Sequence, residues 1–268
     1  MTDFTEQDLS GSTFRRVNLS GATFREAHLT DALIHDVDLS RTRVRAAYLD
    51  GVRMTGVEVP DMEIYGEVVR LLVNGVDVVP LVEAELNRRM PERALMSPTD
   101  LAGFGEAFAT LDRLWAGTVE KARALPPQKL HEQVDDEWSF IETLRHLGFA
   151  HACWVGGVVL ADPSPWHPLD LPWDEAPGWD GIPWDRAARP TLDEVLAVRH
   201  ERQAMVDGVV ESLTDERLAS LVSCTEPGWP QIADFPLREC LSIILNEEWE
   251  HRRYASRDLA ELGATSTT

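Results

Sequence analysis

The chain has 268 residues, 44% of them apolar, so it can bury a core without staples. Its formal net charge is −21, which speaks against a general nucleic-acid binder and against an anionic membrane surface as partner. Cys153, Cys224 and Cys240 show no disulfide spacing. With no apolar leader in residues 1–7 and no run of eighteen apolar residues, a reducing cytoplasmic setting is expected. Of the 25 basic residues only Lys121 and Lys129 are lysines, a bias typical of GC-rich coding.

The first sixty residues repeat every five. A large apolar residue recurs at Phe4, Leu9, Phe14, Leu19, Phe24, Leu29, Ile34, Leu39, Val44, Leu49, Met54 and Val59. Two positions before each lies a mostly small or β-branched residue, as in Val17, Ala22, Ala27, Ala32 and Val37. A period of five is neither the 3.6 of a helix nor the 2 of a strand. It fits a chain that turns a corner every five residues, with both apolar series pointing inward and stacked coils burying what no single repeat could. Asn18-Leu19-Ser20 and Asp38-Leu39-Ser40 resemble the pentapeptide-repeat family. That resemblance implies a right-handed quadrilateral β-helix over residues 1–60. Some members of the family imitate DNA. Nine acids against seven arginines in this stretch leave too little negative charge for that, so a scaffold, docking or homodimer-forming module is the plainer expectation.

Residues 61–96 read as a connector. Asn74-Gly75 between apolar runs predicts a hairpin with strands at Val69–Val73 and Val76–Val79. Pro80 suits the first turn of a short helix ending near Arg89. From residue 97 the period becomes helical. Helices are predicted at about 99–124, 139–160, 191–212 and 236–262, making residues 97–263 a four-helix bundle, with 264–268 as a tail. The connection at 161–190 carries Trp166, Trp173, Trp179 and Trp184 with seven prolines. Its length and tryptophans suggest a lid or pocket wall, or a cap on the core.

Chemistry is concentrated on two helices. On the last, Glu247 and His251 lie four apart on the stripe of Leu237, Cys240 and Ile244, so they face the interior. An inward Glu is costly unless it is paired or binds metal. His146 lies near the start of the second helix. Two imidazoles and one carboxylate suit a divalent transition metal, zinc first and nickel second, with an open fourth position. The alternatives are an intrahelical Glu247–His251 ion pair, or Glu247 held by an arginine with no metal. His167 could reach the metal from the long connection. His151 reads as a core histidine, Glu248 and Glu250 as solvent-facing, and Cys153 and Cys240 as packing residues.

The His146, Glu247, His251 set resembles the DinB-like four-helix-bundle superfamily, within which the Glu variant is similar to the mycothiol-dependent maleylpyruvate isomerase branch. The resemblance covers about residues 97–262. It implies zinc, a low-molecular-weight thiol such as mycothiol, and S-transfer to, or isomerisation of, a small electrophile. The competing class is a non-catalytic metal- or ligand-binding stress-response module with the solenoid as scaffold or docking surface. No phosphate loop, dinucleotide fingerprint or nucleophile elbow is present.

Overall fold

The computed structural model describes residues 3–45, 47–174 and 176–265. It divides into two compact units, one ending at Tyr65 and the other beginning at Gly66.

In the first unit the backbone does turn at every fifth residue. Positive φ angles fall at Glu6, Gly11, Arg16, Gly21, Glu26, Asp31, Asp36, Arg41, Gly51 and Gly56. Alternate corners are closed by short bonds: the backbone N–H of Ser12, Ala22, Ala32 and Thr42 donates to the carbonyl of Leu9, Leu19, Leu29 and Leu39 at 2.9–3.1 Å. Side chains of Asp8, Asn18 and Asp38 accept from the N–H two residues on, the local bonding that suits these residues to turns. The expected burial differs. No β-strand forms among the described residues before Leu72. The apolar series stands open, from 39% exposed at Leu9 to 64% at Val44. Corners need only bonds across three residues, whereas inward packing needs a ladder between coils, and that ladder is what the described residues lack.

The second unit opens with β1 (Leu72–Val73) and β2 (Val76–Asp77), an antiparallel hairpin around Asn74-Gly75 shorter than the predicted strands. Next come α1 (Val79–Arg89) and a 3₁₀ turn at Pro91–Met96. Four long helices follow: α2 (Leu101–Arg123), α3 (Phe140–His151), α4 (Leu192–Glu211) and, after the short α5 (Asp215–Leu218), α6 (Leu237–Thr265). Each start is set by a cap. Asp100 accepts from Gly103 N–H, while Ser139/Glu142 and Thr191/Glu194 form reciprocal capping boxes, each cap contributing about 1 kcal/mol. The predicted second helix is continuous, but Ala152–Val159 is wound as a π-helix. The last helix runs past 262 to Thr265; residues 266–268 of the expected tail lie outside the described residues.

The helices pack in a ring, α2 against α6, α6 against α3, α3 against α4 and α4 against α2. One core cluster joins Phe104, Leu111, Val206, Leu241, Ile244 and Leu245. Another joins Trp115, Phe140, Ile141, Leu144, Val195 and Leu259. Each such side chain, withdrawn from water, stabilises by about 1.5–3 kcal/mol. One hairpin was not anticipated: β3 (Leu221–Cys224) pairs antiparallel with β4 (Ala233–Pro236), and Val222 faces Phe235. No helix among the described residues is long and apolar enough to cross a membrane.

Candidate metal centre

The site begins with the capping box of α3. It fixes the helix start at Phe140, so His146 falls in the second turn and points at α6. On α6, the apolar stripe Leu237, Cys240 and Ile244 is at most 1% exposed and carries Glu247 and His251 inward. Glu247 Oε2 lies 3.0 Å from His251 Nε2 and 3.6 Å from His146 Nε2. One ligand atom from each of the three residues lies within 4.8 Å of the other two. Bonds of about 2.0–2.1 Å to a tetrahedral ion put its ligand atoms roughly 3.3 Å apart, so 3.0 and 3.6 Å straddle the required spacing.

The surroundings hold these groups in a ligand-like state. His146 Nδ1 is 3.0 Å from the Leu171 carbonyl. Donating there, it leaves the Nε2 lone pair facing Glu247, the outer-shell bond typical of metal-bound histidines. The Trp138 ring flanks both imidazoles, 4.3 Å from His146 and 5.6 Å from His251, lying parallel to the latter. Burial pushes His146 below its ordinary value, so the ring is neutral. Burial alone would raise Glu247, but hydrogen bonding to His146 and His251 outweighs it and keeps the carboxyl ionised, well below the usual carboxylate range. Two neutral imidazoles and a carboxylate are a donor set that fits a divalent cation. Glu247 keeps 30% of its side chain exposed, so the cluster is reachable from outside.

His146 and Glu247 also line a cavity of about 440 Å³. Its other walls are Phe149, Ala150, Cys153, Trp154, Trp173 and Trp229. The 161–190 connection supplies Trp173 and is pinned from below. Buried Arg145 donates to the carbonyls of Leu169 and Asp185, and Arg186 donates to Asp174 and to the carbonyls of Pro172 and Trp173. Trp138 Nε1–H donates to Asp174 as well. Of the four tryptophans in this connection, Trp173 forms cavity wall, Trp166 stacks on Phe149, and Trp184 lies under the Arg186 guanidinium.

Other expected positions divide. His167 lies outside the cluster; its Nδ1 accepts from Leu169 N–H. His151 is buried, bonded through Nδ1 to the Leu147 carbonyl. Cys153 and Cys240 are buried, and burial pushes both thiols up, Cys240 to about 11. Glu250 is half-buried and pairs with Arg253. Glu248 requires a correction. It does not face solvent: it is 3% exposed and accepts both guanidinium arms of Arg199 at 2.9 and 2.8 Å, with His151 Nε2 at 3.4 Å. The reason is that α6 contacts both α2 and α3 and faces α4 through this pair, so more than one of its faces is interior. Trp138 and Trp229 were not singled out at all. For Trp229 the signal was the Pro-Gly-Trp-Pro turn between two short apolar runs.

Fold and cluster together define a helical-bundle protein with two imidazoles and a carboxylate converging in its interior. Residues 110–255 match the DinB superfamily, and the chain belongs to it. Residues 2–43 match pentapeptide repeats (9 copies). No curated protein and no solved structure matches the chain.

Proposed function

We propose that His146, Glu247 and His251 hold a divalent metal, zinc first and nickel second, and that the protein is a metal-dependent thiol S-transferase or isomerase acting on a small electrophile in the cytoplasm. The observation that carries this reading is the convergence of the three ligand atoms within 4.8 Å beside a 440 Å³ cavity. A bound divalent ion supplies positive charge that turns a low-molecular-weight thiol, mycothiol in this reading, into its nucleophilic thiolate. The chain's own residues do the rest. Leu171 O keeps His146 in the tautomer with a free Nε2. Trp138 fixes both ring planes. The thiol's proton leaves along the exposed edge of Glu247. Trp154, Trp173 and Phe149 exclude water from the side where the electrophile lies.

For the N-terminal unit we propose a right-handed quadrilateral β-helix serving as scaffold, docking surface or homodimer contact. The corner at every fifth residue supports it. The division of labour is then a repeat module over residues 1–60, a connector over 61–96 and the metal-binding bundle over 97–263.

The test is elemental analysis of protein purified without an affinity tag, followed by turnover of generic electrophiles with mycothiol. About one zinc or nickel per chain is expected in the wild type, and neither metal nor turnover in His251→Ala. Metal-free wild type, or equal turnover in the two proteins, removes the proposal. One metal per chain with no thiol-dependent turnover instead favours a non-catalytic metal-binding module.

A further inference from the structure

The cavity beside the cluster has an unusual wall for an acidic protein. Of its eight lining residues, four are aromatic (Phe149, Trp154, Trp173 and Trp229), and two are the small or apolar Ala150 and Cys153. The remaining two, His146 and Glu247, belong to the proposed metal site. No arginine and no lysine lines it. The nearest cations in that part of the chain are committed elsewhere: Arg145 to carbonyls, Arg186 to Asp174, Arg202 to Asp170. A substrate carboxylate entering here would lose its water and meet no cationic partner, which is costly.

The aromatic walls come from three separate segments. Trp154 sits on the π-helical turn and packs edge-on against Phe235 of β4 at 5.2 Å. Trp173 comes from the long connection. Trp229 comes from the loop of the β3–β4 hairpin and meets Trp173 at 5.0 Å with planes 69° apart. Phe149 on α3 meets Trp173 at 6.3 Å and 65°. Near-perpendicular walls offer one ring face and one ring edge, the two surfaces against which a flat ring packs favourably.

We propose that the electrophile accepted by this cavity is an uncharged molecule carrying a flat apolar or aromatic ring, not a carboxylate-bearing one, with Trp173 and Trp229 as its specificity-determining residues. This rests on the thiol-transferase reading for the reaction, but the preference of the walls is separable from the metal. The thiolate uses the His146–Glu247–His251 side, and the walls see only the second substrate.

The experiment is calorimetric titration of the full chain, as purified and after chelator treatment, with three probes sharing one ring: 2-naphthalenemethanol, 2-naphthoate and a 2-naphthyl trimethylammonium salt. In the chelated chain the neutral probe should bind at least about tenfold more tightly than the carboxylate. Trp229→Ala should weaken it about tenfold; this residue is 38% exposed, so the fold is not at risk. Trp229→Arg should narrow or reverse the gap to 2-naphthoate. Equal or tighter binding of the carboxylate, tighter binding of the ammonium probe, no binding of any probe, or an affinity indifferent to both Trp229 variants would each overturn the inference. If the neutral preference holds while purified protein contains no metal, the thiol-transferase reading falls and the cavity's preference stands.

Discussion

Replacing Glu248 by leucine should be among the most damaging single changes in the bundle, although Glu248 is not one of the three converging ligands. Its carboxylate takes two bonds from Arg199 at 2.9 and 2.8 Å, and both side chains are at most 6% exposed. Without it the guanidinium keeps only the face of Trp115, 4.5 Å from its carbon, and has no water to turn to. Stranding one member of a buried pair costs about 3–5 kcal/mol, a large part of the roughly 5–15 kcal/mol that holds a domain folded. Removing both charges, as Arg199→Met with Glu248→Leu, should restore stability to near wild type, because the cost lies in the stranded charge and not in the missing bond. Urea unfolding followed by tryptophan fluorescence reads this cleanly. All nine tryptophans lie between Trp115 and Trp249, so the signal reports the second unit alone. A single variant within about 1 kcal/mol of wild type, or a double variant no better than the single, would refute the reasoning.

Stability of the chelated protein should fall as pH drops below about 6.5, the ordinary histidine value. Burial holds His146 and His151 below it, so in that window the unfolded chain binds more protons than the folded one, and unfolding free energy rises with pH by up to about 1.4 kcal/mol per unit per histidine. Thermal melts from pH 7.5 to 5.5 check this; a flat profile contradicts it. Two glycine-to-alanine changes in helices should have opposite signs. At Gly208 nothing lies within 4 Å of a new Cβ, so the usual helix gain of about 1 kcal/mol should appear. At Gly148 the Cβ would sit 2.7 Å from Asp170 Oδ1, a fully buried carboxylate held by Arg202 and His167 N–H, so overpacking of about 1–3 kcal/mol should win and lower the melting temperature.

What the sequence reveals and conceals here follows from distance along the chain. Caps and corners are local, and Ser139, Thr191 and the period of five announce them. Glu247 and His251 share a helical face, so their alignment is arithmetic, and only the approach of His146 needed the tertiary fold. Glu248 hid because its partner Arg199 is 49 residues away on another helix. Once α6 packs on several sides, a polar residue next to an apolar stripe no longer implies water. The β3–β4 hairpin hid because four-residue strands carry too little alternation to be told from loop. With it went Trp229, whose place in the cavity depends on that hairpin.

The π-helical turn at Ala152–Val159 has an effect on what changes of length the protein can absorb. It holds one residue more per turn than the α-helix preceding it. Deleting any residue there would let ordinary winding resume and swing all that follows by about 100°. The aromatic neighbours Phe149 and Trp154 would then cease to look into the same hollow, and the start of the long connection would leave from a different side. In this segment the count of residues matters as much as their identity, and relatives that bind a similar partner should vary in side chains there far more readily than in number.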